Sequence, residues 1–318
     1  MMELSIIIIN WHSKKFLKNC LKTIIDNTIN LAYEIIVVDN ASYDGCETLI
    51  KKHFPDVKFI QSNKNLGFAK ANNLAYQYSS GHNILFLNPD TEIIDNAISN
   101  LLKNLEELPN AGIVGPILLN SDLTIQESCV QSYPTIINQV LDSQILRNLF
   151  PKSNLWGNSP IYNSHDKPYK VDSVSGASLM IKRSIFEKVK YFSEDYFMYS
   201  EDIDLCYKVN QLGYDIYFIP NAKILHYGGG SSEKHEYNQF SSIMQCESQW
   251  IFFKKHRSIY YALSYRMAIA MTALTRMTVA KIIRGLAEEA STQEKYQQSY
   301  KKWKAKLKWS IIPKLSNR

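Results

Sequence analysis

Short runs of continuous apolar residues alternate, over the first 120 positions, with stretches in which apolar residues recur at helical spacing. Residues 4–9 and 33–38 are runs rich in β-branched side chains, which are typical of strands buried on both faces. Between these runs, apolar residues at helical spacing follow Ser13, a candidate N-cap. The same alternation predicts further strands at 57–60, 83–87 and 113–118, and further helices at 44–53, 67–79 and 93–108.

The β-α-β order predicts an α/β fold, in which a mostly parallel central sheet carries helices on both faces. Ligands of such sheets bind at the carboxyl ends of the strands. Three predicted strands end in polar residues, at Asn10, at Asp39 and at Asn88 with Asp90. These side chains could line one pocket, or they could make turns and helix caps, for which the same residue types are favoured.

The pattern after residue 120 is less regular. A helix is predicted over 134–150, a loop over 151–170, and a strand over 171–181 that runs through Ser175-Gly176-Ala177-Ser178. A short helix at 184–190 and strands at 215–219 and 222–225 complete this part. The last strand ends in His226, followed by three glycines. A histidine in such a place is either a ligand or simply hydrogen-bonded.

The helix predicted over 200–212 carries a carboxylate on its apolar side. The buried stripe contains Asp202, Leu205, Cys206, Val209 and Leu212, and the solvent stripe contains Glu201, Asp204, Lys208 and Gln211. Because an unpaired buried carboxylate is unfavourable, an inward Asp202 needs a partner or a function. The alternative is that acidic residues are favoured in the first helical turn by the helix dipole.

Composition places the chain among folded globular proteins. Of 318 residues, 45% are hydrophobic and 21% charged, which excludes a disordered, collagenous or coiled-coil chain. Five scattered cysteines without a CxxC pair argue against a disulfide framework and a structural zinc site, and favour a reducing, cytoplasmic compartment. No secretory signal is recognised at the N-terminus, and no dinucleotide or P-loop glycine motif follows the first strand.

Charge is distributed unevenly along the chain. Residues 250–318 contain 15 Lys and Arg but 3 Asp and Glu, a net charge of +12, whereas the remainder carries a net charge of −6. Helices at 250–290 and basic residues interleaved with Trp and Leu at 301–308 suit an anionic inner-membrane surface. The alternative is packing on the catalytic domain or on a second subunit. An acidic body without a nucleic-acid motif excludes nucleic acid as the expected partner.

An ordered set of motifs resembles the inverting family-2 glycosyltransferases, and within them the rhamnosyltransferase-like bacterial branch. The motifs are SIIIINWHS, VVDNASYDG, NLGFAKANN, LFLNPDT, SGASLMIK, YSEDIDLC and ILHYGGG, and the resemblance covers about residues 3–232. It implies a GT-A, Rossmann-like domain over 1–235, with a nucleotide-sugar half at 1–119 and an acceptor half at 120–235. Residues 236–318 would form a helical basic extension.

The resemblance also implies roles for individual residues around the donor. Asp39 would bind a pyrimidine base, with Asn10, Asn65 and Asn88 helping to hold the nucleotide. Asp90 and His226 would hold Mn²⁺ or Mg²⁺ beside the donor diphosphate. The sequence departs from the family pattern at Asn88, where an aspartate is expected, and a neutral amide oxygen is a weaker metal ligand.

On the acceptor side, the resemblance implies that Asp202 is the catalytic base and that Glu201 orients the acceptor. Gly176 and Ala177 would leave room beneath the transferred sugar. The implied activity is metal-dependent, inverting transfer of one sugar, such as rhamnose from dTDP-rhamnose or a UDP-sugar, to a glycan or lipid-linked glycan. Two rivals are a sugar-nucleotide pyrophosphorylase, whose glycine-rich loop is missing after the first strand, and a non-catalytic nucleotide-sugar-binding or scaffolding subunit.

Overall fold

The computed structural model describes residues 2–150, 152–153, 155–156, 161, 167–228 and 235–312. The chain forms two compact units. The first comprises Met1–Tyr133 and Arg147–Ser231, and the second comprises Pro134–Leu146 and Ser232–Arg318. The segment 134–146 therefore belongs with the C-terminal helices, although the sequence prediction counts it with the acceptor half. Its docking is specific, since the backbone N–H of Ile136 donates to the Tyr261 hydroxyl at 3.1 Å.

The amino-terminal part of the first unit alternates strands and helices as the apolar pattern predicts. In chain order the elements are β1 (Leu4–Asn10), α1 (Lys14–Asn27), β2 (Tyr33–Asp39), α2 (Cys46–His53), β3 (Lys58–Gln61), α3 (Gly67–Tyr76), β4 (Asn83–Leu87), β5 (Thr91–Ile93), α4 (Ala97–Glu107) and β6 (Ala111–Leu119). All residues of β1, β4 and β6 are buried, as expected for strands covered on both faces.

The following elements are shorter. They are a 3₁₀ turn (Glu127–Cys129), β7 (Val130–Gln131), α5 (Ile136–Leu141), α6 (Gln144–Leu149), β8 (Tyr169–Lys170), β9 (Ser173–Val174), β10 (Ser178–Lys182), α7 (Arg183–Lys188), α8 (Glu201–Gln211) and β11 (Asp215–His226). The C-terminal helices are α9 (His235–His256), α10 (Ile259–Leu286) and α11 (Ala290–Ile311). Most of the predicted loop at 151–170 lies outside the described residues.

Nine of the described strands form one mixed sheet. Its order is β3-β2-β1-β4-β10-β6-β11-β5, with β8 paired to β11. The pairs among β1, β2, β3 and β4 are parallel, whereas β10 is antiparallel to both of its neighbours. Because β10 runs in the opposite direction, its amino-terminal end reaches the edge at which β1, β2 and β4 have their carboxyl ends. The fold is thus α/β with a mostly parallel central sheet, as predicted.

Several element predictions differ from the structure. The helix predicted over 134–150 is two short helices, Ile136–Leu141 and Gln144–Leu149, because the backbone leaves the helical region at Asp142, where ψ is 105°. The helix predicted from residue 93 begins at Ala97, because Thr91–Ile93 pairs with β11 as an edge strand too short to show an alternating pattern. The strand predicted over 171–181 is interrupted at 175–177. The two strands predicted near the C-terminal end of the sheet are one strand, Asp215–His226, whose register shifts around Pro220, a residue without a backbone N–H.

Candidate active site

Polar residues from the ends of β1, β2 and β4 meet at one edge of the sheet. Asn10 is the register partner of Asp39 across β1 and β2. Asn88 follows β4 directly, and its backbone N–H donates to the Ala177 carbonyl at 2.9 Å, just before β10. These pairs join residues 29 positions apart across β1 and β2, and 89 positions apart between Asn88 and Ala177.

Asp39 is fully buried and its carboxylate accepts hydrogen bonds from four groups. Asn10 Nδ2 donates to Oδ1 at 2.9 Å, and the Ser42 hydroxyl donates to the same oxygen. The Tyr43 backbone N–H and Gln61 Nε2 donate to Oδ2 at 3.0 and 2.8 Å. Burial by itself raises the pKa of Asp39, but these hydrogen bonds outweigh it and hold the pKa below its ordinary value. The carboxylate is thus ionised and its acceptor positions are occupied.

Asn10 joins the Asp39 carboxylate to neighbouring polar side chains. Its side chain is fully buried, and the same Nδ2 also approaches Ser42 Oγ at 3.1 Å and Asp44 Oδ2 at 3.2 Å. Asp44 in turn accepts from the backbone N–H of Lys14 and of Cys46, both at 3.0 Å. Asp44 therefore links β1 to the starts of α1 and α2, a role that its sequence position as a helix-capping residue only partly predicts.

Asp39, Asp44 and Cys46 present ligand-type atoms within 4.8 Å of one another. Burial, followed by the nearby charges of Asp39 and Asp44, raises the pKa of the Cys46 thiol far above its ordinary value. A protonated thiol is a poor metal ligand, and the carboxylate oxygens are already hydrogen-bonded. This cluster therefore suits an organised turn better than a metal centre.

A second polar cluster joins Asp90, His226 and Asn88. His226 Nε2 lies 3.5 Å from Asp90 Oδ1 and 3.5 Å from Asn88 Nδ2. The edge strand β5 produces this juxtaposition, since Thr91 is the register partner of His226 and the Tyr227 backbone N–H donates to the Asp90 carbonyl at 3.0 Å. The sequence prediction of a helix starting at 93 could not show why residues 136 positions apart meet here.

Gln126 fixes which nitrogen of His226 faces Asp90. Gln126 Nε2 donates to the His226 carbonyl at 2.6 Å, so the other amide atom, Oε1, faces His226 Nδ1 at 2.9 Å. A carbonyl oxygen only accepts, so in the neutral imidazole Nδ1 carries the proton. Nε2 then directs its lone pair towards Asp90. No periodic pattern around residue 126 points to this contact in the sequence.

Asp202 lies in the first turn of α8, against the interruption that precedes β10. The backbone N–H of Gly176 donates to Asp202 Oδ2 and that of Ile203 to Oδ1, each at 2.8 Å. Burial raises the pKa of Asp202 in spite of these hydrogen bonds. A Cβ at Gly176 would lie 3.2 Å from Asp202 Cβ, so glycine allows this close approach. Gly176 thus touches the acid directly.

The predicted solvent stripe of this helix is wrong at Glu201 and Asp204, the acids on either side of Asp202. Glu201 is 7% exposed and Asp204 is fully buried, whereas Leu212, predicted to be buried, is 50% exposed. The segment before α8 covers the first turn, because Ser193 Oγ and the Tyr196 hydroxyl donate to Asp204 at 2.6 and 3.1 Å. A helical wheel cannot show this long-range cover.

Glu201 is less satisfied by hydrogen bonds than Asp202, which is half-buried. Its Oε2 is buried and has no hydrogen-bond partner among the described residues. Burial, and then the charge of Asp202, raises the pKa of Glu201 well above its ordinary value. Two neighbouring carboxyl groups that resist ionisation are typical of a functional site rather than of a helix cap.

The segment that leads into α8 also contacts the start of α3. The Phe68 backbone N–H donates to the Phe197 carbonyl at 3.0 Å. Gly67 has φ +74°, and a Cβ there would lie 2.3 Å from the same carbonyl, so glycine is required twice over. Asn65 accepts from Asn40 Nδ2 at 3.0 Å and from the Gly67 backbone N–H at 2.9 Å. The acid-bearing helix is thus tied to the loop after β2.

Comparisons with known proteins identify the family of this chain. Residues 5–190 match the model of glycosyl transferase family 2, and residues 154–313 match that of glycosyl transferase family group 2. The chain is 31% identical over 214 residues to the low-salt glycan biosynthesis hexosyltransferase of Haloferax volcanii, covering 66% of this chain and 62% of that protein. It is 28% identical to N-acetylglucosaminyl-diphospho-decaprenol L-rhamnosyltransferase of Mycobacterium tuberculosis, covering 62% and 67%.

A solved structure shows the same fold. A mannosyltransferase of Pyrobaculum calidifontis, in complex with GDP-Man and Mn²⁺, aligns with 98% of this chain and 88% of its own, with a TM-score of 0.63 at 15% identity. The matched region spans 62% of the Haloferax protein, less than two thirds of its length, so the name of that protein describes a longer chain.

Proposed function

Since this chain belongs to glycosyl transferase family 2, we propose that it transfers one sugar from a pyrimidine nucleotide-sugar to a hydroxyl of a glycan or lipid-linked glycan, with inversion at the anomeric carbon. That it is a glycosyltransferase follows from the family. The observation that carries the finer proposal is the placement of Asp202. Its carboxylate lies against Gly176, next to Ala177, whose carbonyl binds Asn88 beside the Asp90–His226 pair.

Asp90 and His226 fit a divalent cation, Mn²⁺ or Mg²⁺. Asp90 offers a carboxylate oxygen, and the tautomer that Gln126 selects leaves the Nε2 lone pair of His226 directed to the same point. Oxygen and neutral imidazole ligands suit these ions, with imidazole favouring Mn²⁺. When bound, such an ion would neutralise charge on the diphosphate leaving group. The amide of Asn88 stands in the same cluster as a contact for the nucleotide.

Asp202 is the proposed general base. An acceptor hydroxyl hydrogen-bonded to its carboxylate would give up its proton as the oxygen forms a bond to the anomeric carbon and the bond to the diphosphate breaks. One displacement from the opposite face inverts the configuration. The Gly176 and Ile203 backbone N–H groups hold the carboxylate in place, and its raised pKa makes it a stronger base than an exposed aspartate. Glu201 is proposed to orient the acceptor.

The proposed donor is dTDP-rhamnose. Its support is the relatedness to proteins named as rhamnosyltransferases, which include the rhamnosyltransferase WbbL of Escherichia coli, 25% identical over 234 residues. The test is a donor panel of dTDP-rhamnose, UDP-glucose, UDP-galactose, UDP-GlcNAc and GDP-mannose with Mn²⁺, read by hydrolysis and thermal shift. We expect dTDP-rhamnose to give the largest stabilisation. Preference for GDP-mannose would contradict a pyrimidine site.

Replacing Asp39 with Ala should weaken binding of dTDP and UDP by about 10- to 150-fold, because a charge-assisted hydrogen bond contributes about 1.5–3 kcal/mol. The four present donors leave no acceptor position open, so a base bound here must displace one of them. Ser42→Ala is the matched control, since it removes a donor and keeps the carboxylate. We expect it to bind dTDP as tightly as wild type or more tightly. Unchanged affinity in a folded Asp39→Ala protein, by calorimetry, would refute the assignment.

Replacing Gln126 with Leu should release the tautomer of His226 and lower Mn²⁺ affinity by about 10- to 100-fold, the usual effect of losing a group that orients a metal ligand. Nitrogen-15 NMR of the imidazole reads the tautomer without metal, and calorimetry reads the affinity. Gln126→Glu loses the hydrogen bond to the His226 carbonyl but keeps an oxygen acceptor for Nδ1–H, so it should retain the tautomer. If the Leu variant keeps its Nδ1–H signal at wild-type intensity, Gln126 does not set it.

The proposed site of action is the cytoplasmic membrane surface, where a lipid-linked acceptor would be presented. Among the described residues, no helix combines the length and the apolarity needed to cross a bilayer.

A further inference from the structure

One face of α10 is exposed and carries no charged residue until Lys281, near the end of the helix. Its apolar side chains follow one another at intervals of three or four residues, apart from one gap filled by Thr278 at the same spacing. We name this the exposed stripe; it consists of Tyr260, Leu263, Met267, Met271, Leu274 and Ile282. Tyr260 is 79% exposed, and Met267 and Met271 are each 67% exposed. At 1.5 Å per residue the exposed stripe is about 33 Å long.

The opposite face of α10 already packs inside the second unit. Tyr265, Ile269 and Ala273 are buried there. The arginines of the middle of the helix are turned away from the exposed stripe, because Arg266 lies over the rings of Trp250 and Trp309 and Arg276 lies over that of Trp303. A surface helix ordinarily exposes charged side chains. Because α10 is apolar on its exposed face as well as on its buried face, we expect a binding partner or a membrane to cover the exposed stripe.

Positive charge stands at both ends of the exposed stripe. Lys254 and Arg257 come just before α10, and Lys281 and Arg284 lie in its last turns, all four of them exposed. The exposed acids Glu288 and Glu289 follow the helix, so the excess positive charge near that end comes from the neighbouring helix. The neighbouring helix α11 adds the exposed residues Lys301, Lys304 and Lys308. Residues 250–318 carry a net charge of +12, so a second copy seated on the exposed stripe would bring two such charges together.

We propose that the exposed stripe inserts into the interface of an anionic bilayer, with α10 lying in the membrane plane. Apolar side chains would enter the headgroup–acyl boundary, and the basic ends would contact lipid phosphates, as in interfacial helices. This proposal rests on the proposed function in one respect: membrane binding would give the enzyme access to a lipid-linked acceptor. Lipid binding itself can be measured without any transfer reaction.

The test uses the full chain and vesicle flotation. Wild type should bind phosphatidylglycerol–phosphatidylcholine vesicles, release with increasing NaCl, and bind pure phosphatidylcholine weakly. Met267→Glu with Met271→Glu should lower binding at least about tenfold, because two carboxylates would have to enter the interface. The matched control is Ile29→Glu with Leu123→Glu, at positions 64% and 65% exposed in the first unit. This control should bind as wild type does.

Two results would overturn the proposal. One is a stripe variant that floats with anionic vesicles as wild type does. The other is a wild-type dimer by light scattering that the stripe variant converts to monomer while vesicle binding is unchanged, which would assign the exposed stripe to a second copy. Donor hydrolysis by the stripe variant separates this outcome from failure of the proposed function. Retained hydrolysis with lost vesicle binding supports both, and lost hydrolysis in wild type contradicts only the proposed function.

Discussion

Replacing Asp202 with Asn lowers the rate of sugar transfer by about 10²- to 10⁴-fold, the contribution expected of a positioned general base. Asn keeps the shape of the side chain and an oxygen for the Gly176 backbone N–H, but it cannot take a proton from the acceptor. Binding of dTDP and Mn²⁺ should change by less than about twofold, because neither proposed contact involves residue 202. Single-turnover transfer rates, with calorimetry for both ligands, check this result.

Glu194→Gln provides the control for Asp202→Asn. Glu194 is an exposed acid in the segment before α8, and it accepts a hydrogen bond from Asn73 at 3.2 Å. It should transfer sugar at the wild-type rate. Near-normal transfer by Asp202→Asn would remove residue 202 as the base.

The pH dependence of transfer offers a second measurement on Asp202. Only the ionised carboxylate accepts the proton, so the rate should rise with pH. Since burial raises the pKa of Asp202, the rise should be centred above the pH at which an ordinary aspartate ionises. A rate that is flat from acid to neutral pH would contradict this.

Replacing Asp204 with Ala destabilises the first unit by about 3–5 kcal/mol, the usual penalty for removing one partner of a buried ion pair. Asp204 is fully buried and lies 3.6 Å from Lys208 Nζ. The change also takes the acceptor from the Ser193 and Tyr196 hydroxyls. For a unit of this size we expect the melting temperature to fall by about 6–20 °C. Calorimetry or circular dichroism measures it.

Asp204→Asn and Asp202→Asn are the controls for this prediction. Asp204→Asn keeps one acceptor oxygen and should destabilise the unit less than Ala does. Asp202→Asn should melt close to wild type while failing to transfer sugar. The two neighbouring acids would then separate cleanly, one serving catalysis and the other the fold. A melting temperature for Asp204→Ala equal to that of wild type would show that its hydrogen bonds add nothing to stability.

Local patterns predicted most of the sheet and its polar edge. Continuous β-branched runs located β1, β2 and β4, and the rule that parallel strands share their carboxyl ends brought Asn10, Asp39 and Asn88 together before any coordinates. Helical spacing also predicted an inward Asp202, and the structure places this side chain half-buried against Gly176. Such features depend on the nearest turn or strand, which the sequence records directly.

The remaining features depend on contacts between distant parts of the chain. The hydroxyls of Ser193 and Tyr196 cover Asp204 from the segment before α8, and His226 meets Asp90 because a three-residue edge strand pairs with β11. Gln126 acts on His226 from 100 positions away, out of a stretch without periodicity. No single-sequence pattern encodes these distances. The roles of the site residues remain predictions for the experiments above.

The lone Glu201 oxygen has a consequence for engineering this enzyme. The pKa of Glu201 is raised to about 8 in the folded chain, whereas the unfolded chain releases this proton at the ordinary pKa of a glutamate. The stability of the folded chain therefore falls progressively as the pH rises from the unfolded-state pKa to the folded-state pKa, and most of that loss has occurred at neutral pH. Selection of libraries for heat resistance at neutral pH would therefore enrich neutral or apolar replacements at position 201. Given the proposed role of Glu201 in orienting the acceptor, those variants would be more stable but would transfer sugar more slowly, so screens for thermal stability should also measure turnover.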